Sequence, residues 1–134
     1  MQTKTPITKN SKFKPISPDL HADPSARVFK DRLYVYVSND TEGARNWSKM
    51  VNWSVLSTDD MVSWKDHGII FDLDDITWAD KEAWAPDCIE LDGKYYFYFP
   101  AAANIGVAVS DSPEGPFTDL LKRPLIERSE AGID

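Results

Sequence analysis

Strand signals dominate the pattern of apolar and polar positions along this chain. Residues 26–29 and 33–37 flank the polar turn Lys30-Asp31-Arg32 and predict an antiparallel hairpin. Residues 51–57 form a third apolar-polar stretch, and 63–65 with 69–71 supply a short fourth. The order then begins again. Residues 88–91, the turn Asp92-Gly93-Lys94 and residues 95–99 predict a second hairpin, Asp-Gly being a strong turn signal. Residues 105–110 follow as the next strand, and Pro116-Phe117 closes the unit. No segment sustains a helical period; residues 58–62 suit a single turn.

The repetition is visible residue by residue. Asp31-Arg32-Leu33-Tyr34 returns as Asp92-Gly93-Lys94-Tyr95, Ser57-Thr58-Asp59 as Val109-Ser110-Asp111, and Trp64 as Phe117. Four-stranded units of roughly 40–50 residues are the sequence mark of propeller blades. Such a unit cannot bury both sheet faces alone and must stack on neighbours. A small β-sandwich with accidental self-similarity is the alternative. A closed propeller needs at least four blades, and the sequence ends at Gly132-Ile133-Asp134 without a turn signal or closing strand. The natural protein is therefore expected to continue. Positions such as Val35, Tyr96 and Phe97 are expected to await neighbouring sheets on the open flanks, leaving the isolated chain self-associating.

Composition narrows the function classes. The chain has 134 residues, of which 42% are apolar, enough for one packed domain. The organisation expected is a flexible lead-in over residues 1–17, its start polar and lysine-rich, and a folded part over 18–134. A net charge of −7 argues against a phosphate-binding surface and so against nucleic acid. The single Cys88 allows no internal disulfide and reads as a buried small hydrophobe. No apolar run is long enough for a membrane span, and residues 1–10 lack a hydrophobic signal core. As written the chain is expected to be soluble and cytoplasmic; prior removal of a signal peptide would make it secreted or periplasmic. Five Trp, five Tyr and six Phe suit strand packing, with a few left to line a sugar site.

Candidate chemistry lies in acidic residues placed before the first strand of each unit. Asp23 follows His21-Ala22, Asp87 follows Trp84-Ala85-Pro86, and Asp134 follows Gly132-Ile133. Innermost strands of successive blades line one channel, so equivalent residues are expected to converge on its mouth. Converging carboxylates provide what glycoside hydrolysis requires: one to activate water, another to protonate the leaving oxygen. Any single Asp at such a position also suits a turn or cap, and His21, alone in a loop, suits a structural role. Asp72-Leu73-Asp74-Asp75 reads as a solvated acidic loop rather than a cation site; no calcium loop of the Asp-x-Asp-x-Asp-Gly kind is present.

From about Pro18 to Asp134 the chain resembles glycoside hydrolase family 43, the β-xylosidases and α-L-arabinofuranosidases. The resemblance rests on Ala22-Asp23-Pro24-Ser25; on Ser38-Asn39-Asp40; on residues 55–64 with their Ser-Thr-Asp-Asp-Met-Val-Ser-Trp core; on Trp84-Ala85-Pro86-Asp87 followed by Asp92-Gly93-Lys94-Tyr95-Tyr96; and on residues 107–117. It implies an all-β, five-bladed β-propeller of which this chain covers about the first two blades and the start of a third. It also implies inverting hydrolysis of terminal xylosyl or arabinofuranosyl units of plant oligosaccharides or polysaccharides. Asp23 would be the general base, and Asp134 the carboxylate that orients the acid. The acid itself, a Glu in the family, would lie beyond residue 134. Trp84, Asp87 and Asp40 match positions near the sugar. A structural calcium would take its ligands mostly from outside this chain. Invertase-like fructosidases show Asn-Asp-Pro-Asn where this chain has Ala-Asp-Pro-Ser, and a non-catalytic sugar-binding propeller would keep the Trp84 region while lacking the later Glu.

Overall fold

Two-residue turns with left-handed backbone close three hairpins. Lys30-Asp31 (φ 49° and 63°), Asp92-Gly93 (52° and 77°) and Ala102-Ala103 (48° and 59°) each place both central residues at positive φ. That geometry follows the natural twist of paired strands, and Asp-Gly adopts it most readily. The computed structural model describes residues 14–43 and 45–130. Asp134 and most of the expected lead-in lie outside those residues.

Eight strands form two antiparallel sheets. The first contains β1 (His21–Phe29), β2 (Arg32–Asn39), β3 (Asn52–Thr58) and β4 (Lys65–Asp72), in that order. The second contains β5 (Asp87–Leu91), β6 (Lys94–Ala101), β7 (Asn104–Ser110) and β8 (Thr118–Asp119), again in order. The repeat in the sequence is thus a repeat of up-and-down four-stranded units, and β1 lies against β5.

Aromatic side chains from both sheets make the core. Trp53, Phe97 and Phe99 are wholly buried and Phe71 nearly so. Trp53 stacks on Phe71 at 5.7 Å and meets Phe99 at 5.1 Å and the edge of Phe97 at 5.7 Å. Offset and edge-on contacts of this kind add to the gain from burial alone. Polar ties cross the same boundary: Tyr36 donates its hydroxyl to the Pro113 carbonyl at 2.7 Å, and the Phe117 amide donates to the Ile70 carbonyl at 3.1 Å. The Tyr34 hydroxyl donates to Glu114 at 3.1 Å, and burial together with the Glu114 charge pushes the Tyr34 phenol up to about 12. Cys88 is buried in the core, where burial pushes its thiol up to about 11. It behaves as a small apolar residue.

Four sequence expectations change. Strand β1 begins five residues earlier than the apolar pattern indicated, because a bulge between Ala22 and Ser25 accommodates Pro24, which lacks an amide hydrogen. The fourth strand is one continuous β4 with irregular pairing to β3 rather than two short pieces. Residues 59–63 make a bend, not a helical turn. Thr58 Oγ1 accepts from the Asp60 and Met61 amides at 3.2 and 2.8 Å, and Asp60 Oδ1 accepts from those of Val62 and Ser63 at 2.8 and 2.7 Å. The amides of Ser63 and Val62 hold the Asp60 carboxyl down at about 2. Finally, Phe97 lies between the two sheets rather than on an open flank; the exposed apolar side chains of the second sheet are Ile89, Leu91 and Tyr98.

Gly106 on β7 marks the tightest point of this packing. A Cβ there would collide with the Phe99 ring and sit 2.7 Å from Trp78 Cζ2. Phe99 cannot retreat, since it is wholly buried and stacked on Trp78 at 5.7 Å. Gly106→Ala is expected to cost about 1–3 kcal/mol, the range for overpacking a filled core. Denaturant unfolding of the full-length protein checks this, and an unchanged midpoint would contradict it.

Candidate active site

The bulge that accommodates Pro24 also sets the position of Asp23. Asp23 has φ 50°, in the left-handed region, and lies between two regular ladder pairs, Ala22 with Ser38 and Ser25 with Tyr36. Bulges redirect side chains, and a non-glycine residue at positive φ is strained. Here the exposed Asp23 lines a cleft of about 810 Å³. A cavity of that size suits an oligosaccharide end more than a single small ion.

One wall of the cleft is the segment that carries Trp84. It contains no strand, yet it is held from both sheets. The Glu82 amide donates to the Ser48 carbonyl at 3.2 Å, and the Ala83 amide to the Met50 carbonyl at 2.8 Å. The Trp84 amide donates to the Pro100 carbonyl at 3.3 Å, and Lys81 supplies its carbonyl to the Ala102 amide at 3.0 Å. The indoles complete the attachment. Trp53 Nε1 donates to the Trp84 carbonyl at 2.7 Å, and Trp84 Nε1 donates to the Trp47 carbonyl at 3.1 Å. A core tryptophan thereby sets the height of a cleft tryptophan.

Asp23, Asp40 and Trp84 meet in this cleft, joined by Trp47, Lys81, Glu82 and Arg128. Sequence reasoning missed Trp47, although its signal was available. Trp47 sits in the polar stretch between β2 and β3, away from any strand, and is 78% exposed. A lone exposed aromatic needs no explanation by itself, but beside Trp84 in the same cleft it forms part of an exposed apolar surface. Lys81, Glu82 and Arg128 carry no local pattern that would have distinguished them.

Asp87 does not join the cleft's lining residues. It is the first residue of β5, and its carboxylate faces sideways to β1. Ser25 Oγ donates to Asp87 Oδ1 at 2.7 Å, Arg27 Nε to the same oxygen at 3.0 Å, and Arg27 Nη2 to Oδ2 at 2.5 Å. The Cys88 amide donates to Oδ1 at 2.8 Å. Burial alone would raise the Asp87 carboxyl, but the hydrogen bonds from Arg27, Ser25 and Cys88 and the guanidinium charge together hold it below the usual carboxylate range. The expected convergence of Asp23 and Asp87 on one mouth is therefore replaced by a clamp between sheets.

His21 and Asp72 have structural surroundings. The His21 ring nitrogens pair with Ser17 Oγ and Asn39 Oδ1, both at 3.0 Å. Asp72 caps a 3-10 turn at Leu73–Asp75, accepting from the Asp74 amide at 2.9 Å and from Asn52 Nδ2 at 3.0 Å. Among the described residues no group of three or more His, Cys, Asp or Glu side chains could hold a metal ion.

Comparison with known proteins gives a consistent result. Residues 13–134 match the model of "Glycosyl hydrolases family 43". The chain is similar to a "Xylosidase/arabinosidase 43A" of Humicola insolens, 45% identical over 72% of this chain and 34% of that protein. It is also similar to a "Xylosidase/arabinosidase" of Bacteroides ovatus, 43% identical over 74% of this chain and 34% of that protein. A solved β-xylosidase/α-arabinofuranosidase from a compost metagenome, in complex with xylotriose, superimposes with a TM-score of 0.76 at 41% identity, over 85% of this chain and 38% of that one. The chain spans about a third of the length of the curated relatives it matches.

The clamp has a pH signature. Because the folded Asp87 carboxyl is depressed, its stabilisation is fully present above the unfolded value of about 4 and lost as pH falls through the folded one. Both partners are half-exposed, so the effect is small. The difference in melting temperature between the full-length protein and its Asp87→Asn variant is expected to hold from pH 5 to 7 and shrink below about pH 4. A difference that grows on acidification would contradict the clamp.

Proposed function

The chain belongs to glycosyl hydrolase family 43, and from that premise we propose that Asp23 activates water in the inverting hydrolysis of terminal β-xylosyl or α-L-arabinofuranosyl units. Its two sheets are two blades of a five-bladed β-propeller, and the cleft lies where these blades meet. The observation that carries the reading is the bulge in β1. It turns a carboxylate into a cleft that also holds Trp47 and Trp84. Sugar C–H faces lie well against such rings, while carboxylates and cations at the rim take up hydroxyl groups. Asp40, Lys81 and Arg128 occupy that rim.

Inversion assigns Asp23 one task. A water molecule held by its carboxylate attacks the anomeric carbon on the face opposite the leaving group. The new C–O bond forms as the glycosidic C–O bond breaks, and Asp23 takes the water's proton. The departing oxygen receives a proton from a carboxylic acid elsewhere in the propeller. Room for the water sets a separation of about 6.5–9.5 Å between acid and base. Asp134 is assigned to orient that acid and keep it protonated. The substrates named for the relatives, and the xylotriose bound to one of them, support a xylose- or arabinose-containing oligosaccharide as the ligand.

In the full-length enzyme, Asp23→Asn is expected to lower kcat by at least about 10³ while leaving KM and melting temperature nearly unchanged, because an amide keeps the shape but cannot accept the proton. Proton NMR of the first-formed sugar should show the inverted anomer; retained configuration would replace the water-activating role with a covalent nucleophile. Trp47→Ala should raise KM about tenfold with a smaller change in kcat, as loss of a binding platform does. An unchanged KM would remove Trp47 from the sugar site.

A further inference from the structure

A general base is effective only if its carboxylate faces the water in one direction. Asp23 is exposed and sits on strained backbone, so that direction must be imposed by its surroundings. We propose that Asp87, from the neighbouring blade, and Ser25, on the strand of Asp23 itself, are positioning residues for Asp23. The inference rests on the assignment of Asp23 as the base.

The anchoring is asymmetric. Upstream of Asp23, Ala22 and His21 are laddered to Ser38 and Asn39, and the His21 ring pairs with the Asn39 side chain. Downstream, the ladder resumes at Ser25, which also donates to Asp87 at 2.7 Å. Only Asp23 and Pro24 lie between these anchors. The Pro24 ring fixes its own φ near −65°. Any change at Ser25 is therefore transmitted to the backbone of Asp23 with little room for absorption.

Asp87 is itself immobilised. It accepts the Arg27 guanidinium as a fork, and the Cys88 amide fixes Oδ1 from its own strand. Three residues before it stands Trp84, which lines the same cleft as Asp23. One carboxylate thus ties the strand that carries the base to the segment that carries an aromatic wall. The spacing between base and sugar platform is set across the blade boundary without Asp87 touching the sugar. Displacements near 1 Å in such geometry cost about 10²-fold in rate.

The test is epistasis in the full-length enzyme, assayed with nitrophenyl xyloside and nitrophenyl arabinofuranoside. Ser25→Ala is expected to lower kcat about 10–100-fold with KM within about twofold, and Ser25→Thr, which keeps the hydroxyl, to retain most of the rate. Asp87→Asn should have a similar effect, and the double variant should lose far less than the product of the two, since both act through one contact. Combined with Asp23→Asn, Ser25→Ala should cost nothing more, because no proton acceptor remains to be misplaced. A further loss in that background, a rise in KM without a fall in kcat, or an unaltered kcat in Ser25→Ala would each overturn the positioning role. A fully active Asp23→Asn enzyme overturns the base assignment itself, whatever Ser25 does.

Discussion

Trp53 is the contact on which the arrangement depends. Neither four-stranded sheet can bury a face by itself, and Trp53 is the largest wholly buried side chain of the aromatic cluster through which both do so. Its ring touches Phe71 on its own sheet and Phe97 and Phe99 on the other. Its one polar atom is not left unpaired in that apolar setting; it holds the Trp84 carbonyl. Burying an indole requires a partner for its N–H, and the protein places that partner in the cleft wall. Sheet packing and site geometry are therefore linked through one residue.

The end of the first sheet nearest the cleft is stiffened by a second, polar, mechanism. Ser17, His21, Asn39, Asn52 and Asp72 form a continuous hydrogen-bonded chain across the strand ends, with Asn39 also donating to Ser54 at 2.8 Å. Asp40 follows Asn39 directly, and its amide donates to the Leu20 carbonyl at 3.0 Å. The rim thus inherits rigidity from side chains that do not line the cleft. Networks in which every member has a partner have this effect, whereas partly satisfied ones destabilise. Ser38 Oγ, buried between these rows, is the buried side-chain atom among the described residues that lacks a partner.

Much of this was legible in the sequence because strand pairing leaves a local trace. The hairpin at Asp92-Gly93 and the recurrence of Ser57-Thr58-Asp59 as Val109-Ser110-Asp111 were sufficient to expose the repeated unit. What remained hidden was local chemistry that imitates something else. Pro24 reads as a strand breaker, so the bulge that keeps Asp23 inside β1 was invisible. Ala102-Ala103 carries no turn signal, and the ends of β6 and β7 were placed short. In the sequence Asp87 reads as preceding its strand much as Asp23 does, but the hairpin registers make it the counterpart of Ser25; pattern reports where a strand begins, not which neighbour a side chain faces. That distinction arises only when Arg27 and Ser25 arrive from another sheet. Trp47 was overlooked because no strand pattern runs through its loop.

The Ala102-Ala103 turn has an implication for how such a cleft can diversify. A two-residue connection between β6 and β7 is as short as hairpin loops commonly get, so an inserted residue must be absorbed by a wider, bulged turn; otherwise a one-residue slip would exchange the buried and exposed faces of a strand. That side of the mouth is consequently frozen at minimum height. The opposite side joins β2 to β3 through a longer connection, in which Asn46 caps the turn at Trp47–Lys49. Length can be added there without disturbing either sheet. Among descendants of such a scaffold, substrate preference should drift by growth and loss on one bank of the cleft while the other bank stays where the hairpin holds it.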